Sequence, residues 1–269
     1  MTSPTAFLVV TWVALAVAMA GASALARRHR DAGVVDVTFA FGFGAAGVAA
    51  AVAFDGDPTR RLVLGALCGA WGLRLGLYLA STRVFRGHED GRYAVLREQW
   101  GASAETKFVA FFQIQALLVA GLALGPVAVA QRTEAFGTLA DLVALALFAT
   151  SIVGSAVADR QLARFRAEPR NRGRTCRVGL WAYSRHPNYF FEWLHWLAYC
   201  AWSFGVPNAW LAWLPAAAMT YFMLAVTGIP PTEAQALRSR GDDYRRYQRE
   251  VSAFVPWFPR RPHTETGVN

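Results

Sequence analysis

Cysteine is scarce in this sequence: three residues in 269, at Cys68, Cys176 and Cys200, with no CxxC spacing and an odd count. That argues against a disulfide framework and against a cysteine metal site. Lysine is scarcer still, with Lys107 alone among 27 basic residues. No Gly-x-Gly-x-x-Gly follows a strand-like run and no phosphate-binding P-loop is present. The stretch HEDGR at 88–92 is not the His-Glu-x-x-His of zinc hydrolases. Any nucleotide bound here must use a non-Rossmann site. Charge is missing from long stretches: Phe7–Leu25, Phe108–Ala130 and Leu142–Ala158 carry none, and Leu62–Leu79 carries only Arg74.

What is present fits lipid. Hydrophobic residues make up 55% of the chain, above the share of soluble domains. About 20 apolar residues cross a bilayer as a helix, and a helix is required because lipid cannot satisfy free backbone groups. The pattern predicts an all-α membrane bundle of seven spans, near 6–26, 34–54, 62–80, 108–130, 139–158, 189–205 and 209–228. The first span is followed rather than preceded by basic residues (RRHR), so it reads as a retained helix and not a cleaved signal. The segments joining odd spans to even ones, with the C-terminal segment, hold 23 of the 27 Lys and Arg. Such an excess marks the cytoplasmic side, so the N-terminus is expected outside and the C-terminus inside. The +9 net charge then belongs to one face, where membrane lipid or a soluble anion meets it. No nucleic-acid module is indicated. Residues 1–262 read as a single transmembrane domain, with 263–269 a disordered tail. Arg-dominated basic usage and Ala-rich spans suit a GC-rich bacterial genome, hence a bacterial inner membrane.

Polar chemistry concentrates on the basic face. In GLWAYSRHPNYFFEWLHW, residues 179–196, Pro187 suits a first helical turn. Asn188, Glu192 and His195 then fall at i, i+4 and i+7, one polar stripe entering the bundle. Intramembrane ionisable groups normally face a cavity or a partner. The structural alternatives are a Glu192 paired to an Arg of another span and a His195 satisfied in the core. Seven Arg lie within 160–177, among them Arg166 and Arg170. They suit either phosphate, which Arg grips in bidentate fashion, or lipid headgroups. Asp159, Leu162 and Arg166 share a helical face. A further amphipathic stretch, 233–252, is broken at Gly241 and carries Glu233, Tyr244 and Tyr247. The segment RYAVLREQW, 92–100, reads as another short amphipathic helix. Arg74 inside the third span and Asp36 opening the second are candidates for an ion pair or for a couple that polarises a substrate.

Taken together, these motifs resemble a known group. GLWAYSRHPNYFFEW is similar to the G-L-W-x-Y-S-R-H-P-N-Y-x-x-E signature of bacterial membrane proteins grouped with the steroid 5-alpha-reductases. GDDYRRYQREVSAFVPWFPRRP resembles that group's closing G-x-x-Y-x-x-Y-x(6)-F-x-P pattern, and HEDGRYAVLREQW its E-D-x-R-Y-x-x-L-R segment. The likeness covers most of 34–262. It extends to isoprenylcysteine carboxyl methyltransferases, whose Arg-His-Pro loop is similar. The resemblance implies a seven-span bundle whose C-terminal half, about 139–262, holds NADPH from the cytoplasmic side. Matched residue by residue, Asp159, Arg166, Asn188 and Glu192 line the cofactor, and Tyr244 and Tyr247 match the closing pattern. Arg170 and Arg185 would neutralise its phosphates, and Trp181, Tyr183, Ser184, His186, Tyr189 and Glu233 complete the expected cofactor-binding set. The reductases pair an acid of the second span with a Tyr of the third. Asp36 matches the acid, while by spacing from Arg74 it is Trp71 that falls near the place of the Tyr. Phe191 stands where the group usually has Gly. The implied reaction is reduction of an apolar enone arriving from the bilayer. The rival cofactor is S-adenosylmethionine, with methyl transfer to a lipid or prenyl thioether. A non-enzymatic lipid-binding protein is the third reading.

Overall fold

A computed structural model describes residues 3–84, 89–207 and 209–260; the predicted tail, 263–269, lies outside them. The described residues are predominantly helical, and the single β pairing among them is a parallel bridge between Ser184 and Ser252. The elements are α1 (Pro4–His29), α2 (Val34–Ala53), α3 (Pro58–Leu79), α4 (Gly91–Trp100), α5 (Ala104–Leu122), α6 (Leu124–Ala130), α7 (Leu139–Ala167), α8 (Pro187–Trp202), α9 (Trp213–Tyr221), α10 (Ile229–Arg240) and α11 (Asp242–Glu250).

Local chemistry sets many of the boundaries. Asp57 caps α3 by accepting the Arg60 N–H, with Pro58 following at the first helical position. Asp90 caps α4 through the Arg92 N–H at 3.0 Å. Gly241, at φ +51, separates α10 from α11, a left-handed conformation that glycine adopts without a Cβ penalty. The break predicted at this residue and the short helix predicted over RYAVLREQW are both present.

Among the described residues, six helical segments are long and apolar enough to cross a membrane: Pro4–His29, Val34–Ala53, Pro58–Thr82, Gly91–Ala130, Leu139–Ala167 and Ala209–Arg240. The span predicted near 189–205 falls on α8, which has 16 residues. At 1.5 Å per residue that is about 24 Å, less than the ~30 Å hydrocarbon core.

The chain divides into two compact units, one comprising Met1–Leu145 with Leu197–Ala217, the other Ala146–Trp196 with Ala218–Asn269. In the first unit α2 and α3 pack through small residues. A Cβ on Gly44 would stand 3.0 Å from the Gly72 Cα, and one on Gly47 would stand 2.4 Å from the Cys68 Cβ. Such close approach replaces the hydrophobic drive that lipid removes. The far end of this unit is closed by a fully buried ion pair. Arg60 gives Nε to Asp141 Oδ1 at 2.7 Å and Nη2 to Oδ2 at 2.9 Å. Its Nη1 also donates to the Arg132 and Glu134 carbonyls, at 3.1 and 2.6 Å. Asp141 further accepts the Trp202 indole N–H at 2.6 Å and the N–H groups of Gly137 and Thr138, each at 2.9 Å. The pair has 0% side-chain exposure on both sides.

Candidate functional site

The second unit gathers most of the residues singled out from the sequence. Asp159 lies on α7, buried at 7% exposure, and accepts the Asn188 amide at 3.3 Å. Asn188 opens α8, where Glu192 follows half-buried on the same face and His195 is fully buried. The His195 ring stands edge-on to Phe148, 4.9 Å between centroids, and to Trp196, 5.1 Å. The predicted polar stripe therefore exists, and its upper end meets the α7 carboxylate.

The Phe at 191 is accommodated by a glycine across from it. A Cβ on Gly154 of α7 would stand 2.2 Å from Phe191 Cδ1, so the aromatic ring occupies the space that the glycine leaves. Gly154→Val is expected to cost about 1–3 kcal/mol through overpacking. The double variant Gly154→Val/Phe191→Gly should recover most of it, as read from melting temperatures in detergent.

The loop before α8 is fixed by hydrogen bonds at nearly every residue. Trp181 is buried and its Nε1–H reaches the Ala158 carbonyl at 2.9 Å. Gly179, at φ +57, lies against Gln161, whose side-chain oxygen accepts the Leu180 N–H at 2.9 Å. Tyr183 is exposed, yet its carbonyl accepts the Trp257 N–H at 2.9 Å. Ser184 is buried and donates Oγ–H to the Phe254 carbonyl at 2.7 Å, and the Arg185 N–H meets the Ser252 carbonyl at 2.8 Å. The C-terminal segment thus runs along this loop and straps it.

Glu233 of α10 is the electrostatic hub. Its carboxylate accepts Arg185 Nε at 2.6 Å, Gln248 Nε2 at 2.7 Å and the Tyr244 hydroxyl at 3.3 Å, and it lies 3.2 Å from His186 Nε2. Arg185 also donates Nη1 to the Gln248 and Val251 carbonyls at the end of α11. Its charge is therefore balanced inside the protein. Tyr247 donates to the Trp181 and Ser184 carbonyls. Burial pushes its phenol above the ordinary tyrosine value, so it remains a donor at neutral pH. Tyr189 stacks on His186 at 5.4 Å and pairs with the Thr232 hydroxyl at 3.2 Å.

Arg166 and Arg170 face outward; the Arg170 side chain is 81% exposed and stands 3.6 Å from Glu168. Two further guanidiniums lie over the closing tyrosines, Arg177 at 5.3 Å from the Tyr247 ring and Arg240 at 5.2 Å from the Tyr244 ring. Asp243 accepts the Thr175 N–H at 2.7 Å. Burial pushes the Asp243 carboxyl up, but hydrogen bonding from Thr175 and the guanidiniums of Arg177 and Arg240 outweigh it and hold the carboxyl below its ordinary value. A depressed folded value contributes stability above the unfolded carboxylate value, near 4, and loses it as pH falls through the folded one. Asp243→Asn should therefore lower the melting temperature at pH 7. The gap to wild type should close as the buffer is taken well below pH 4.

Asp36 and Arg74 lie in the first unit. Asp36, in the first turn of α2, accepts the Tyr93 hydroxyl at 2.7 Å and Arg92 Nη2 at 2.9 Å. Tyr93 is 5% exposed. Glycine contacts set the α2–α3 register, with Gly44 against Gly72 and Gly47 against Cys68. That register puts Asp36 level with the end of α3, about 9 Å along the axis beyond the Arg74 Cα. Tyr93 was not singled out from the sequence; its place in the Glu-Asp-x-Arg-Tyr motif is the signal that could have drawn attention to it.

A family model described as a protein of unknown function, DUF1295, matches residues 22–251. Neither a curated protein nor a solved structure matches the chain.

Proposed function

We propose, from the premise that the chain belongs to the DUF1295 family of the steroid 5-alpha-reductase-like group, that this protein is a membrane-embedded NADPH-dependent reductase of an apolar enone. The observation that carries the reading is the Asp159–Asn188 contact at the mouth of α8, with Glu192 one turn further along the same face. An amide and two carboxylates, with the exposed Arg166 two turns along α7 from Asp159, offer hydrogen-bond donors, acceptors and positive charge that suit a dinucleotide. Asn188 would hold the nicotinamide carboxamide and Glu192 the ribose hydroxyls. Arg166 and Arg170 would meet phosphate. Arg185, committed to Glu233 and the end of α11, positions the loop instead. When bound, NADPH supplies a hydride, and the protein's share is orientation and electrostatics.

For the substrate carbonyl the reading assigns Asp36 and Arg74, and adds Tyr93. Tyr93 donates its one O–H to Asp36 at rest. On substrate binding that O–H would turn to the carbonyl oxygen and stabilise the developing enolate, with Arg92 left to balance Asp36. The active site would open to the cytoplasm of a bacterial inner membrane, with the substrate arriving from the bilayer. The test is incubation of reconstituted protein with C4-deuterated NADPH and a panel of lipophilic enones, 3-oxo-4-ene steroids included. Deuterium on the β-carbon of a saturated ketone supports the reading. Transfer of a labelled methyl group from S-adenosylmethionine to a lipid acceptor would replace it with methyl transfer.

A further inference from the structure

Beyond the last helix the chain presents a group of exposed apolar side chains: Val255, Trp257 and Phe258, at 51, 70 and 76% exposure. They are not a loose tail. Pro256 and Pro259 restrict the backbone. The Trp257 N–H is held by Tyr183 and the Arg260 N–H by the Glu250 carbonyl at 2.8 Å. Phe254, just before them, packs edge-on against Phe190 at 5.8 Å and Trp193 at 5.5 Å. The exposed Tyr183 ring stands 6.2 Å from Phe258 and completes a ridge. An ordered segment that turns aromatics outward leaves their burial unrealised, unless something covers it.

Position and chemistry identify the cover. Phe190 and Trp193 lie in the first two turns of α8, about 4–9 Å below its start, so the ridge sits level with the mouth of that helix. Tyr and Trp are the residues enriched at the bilayer interface, where a ring is half in hydrocarbon and half in headgroups. Arg260 follows the ridge, and Arg245, Arg246 and Arg249 are exposed on the adjacent α11, charges that attract anionic headgroups. We propose that Tyr183, Val255, Trp257 and Phe258 form an interfacial anchor seated in the anionic headgroup layer, on the bilayer face where α8 begins. The ridge is bonded to residues 183–185, so its seating in lipid also steadies the loop that presents Asn188. The anchor does not depend on which cofactor the protein uses.

The three native thiols are buried, so a cysteine placed on the ridge takes a bimane label selectively. Full-length Trp257→Cys, and separately Phe258→Cys, are labelled in nanodiscs of phosphatidylcholine and phosphatidylglycerol. Arg170→Cys serves as the water-exposed reference. The anchor predicts blue-shifted emission, quenching by headgroup nitroxide lipids, and at least about threefold less quenching by aqueous iodide than at position 170. Phosphatidylcholine alone should weaken the lipid quenching. Iodide access equal to that at position 170 overturns the proposal. Protection from iodide without lipid quenching overturns it too, because a second protein copy would then be the cover.

Discussion

Arg60→Ala is expected to lose about 3–5 kcal/mol, the cost of leaving a buried partner charge uncompensated. A domain holds only some 5–15 kcal/mol in total, so the variant should be recovered in detergent at much reduced yield and with a clearly lower melting temperature. The reason is geometric. Asp141 sits at 0% exposure, and Arg60 supplies two of its hydrogen bonds while also holding the 132–135 turn. Asp141→Asn should be nearly as damaging, because it leaves the guanidinium buried without its counter-charge. The double variant Arg60→Met/Asp141→Leu should be closer to wild type than either single change. That non-additivity identifies a coupled pair rather than two independent contacts. Arg170→Ala, at an exposed position, should leave the melting temperature without ligand unchanged.

The second large effect concerns Asn188. Asn188→Asp places a carboxylate where an amide now donates to Asp159 at 3.3 Å, replacing attraction by like-charge repulsion. Asn188→Ala removes the donor without adding charge. Hydrogen bonds to charged groups contribute roughly 1.5–3 kcal/mol, so both variants should weaken NADPH at least about tenfold, the aspartate more. The folded protein should persist, because Asn188 is only half-buried and Trp181, Ser184, Arg185 and Tyr247 hold the loop independently. Titration of NADPH against each variant, beside its melting temperature without ligand, separates lost binding from lost fold.

Periodicity and charge made the fold legible in the sequence, because lipid imposes both rules strictly. Apolar runs marked the long helices, and Gly241 marked an element boundary. Helix α8 reads less clearly: its polar stripe, Pro187 and short apolar run were visible, but its extent of 16 residues emerges only from the structure. The Arg60–Asp141 pair could not be read at all. Its partners are 81 residues apart, and no local pattern distinguishes a buried Arg at a helix start from a surface one. The same holds for Tyr93 and Asp36, 57 residues apart. Asp159 and Asn188 were linked through the resemblance, since their spacing alone carries no sign of contact. Phe191 looked like an obstruction because its compensation, Gly154, lies on another helix. The bonds of Arg185 to Glu233 and to the end of α11 could not be read either, because sequence shows a charge and not what it faces.

The most direct test of the reductase reading is the melting temperature of the purified wild-type protein in detergent, with NADPH, NADH or S-adenosylmethionine added in turn. A ligand bound only to the folded state stabilises it by mass action, about 2.7 kcal/mol at a hundred times its Kd. The account predicts a rise with NADPH that grows with the logarithm of its concentration above Kd, and that Asn188→Ala moves to at least about tenfold higher concentration. A rise with S-adenosylmethionine alone would contradict it and assign the α8 mouth to methyl transfer.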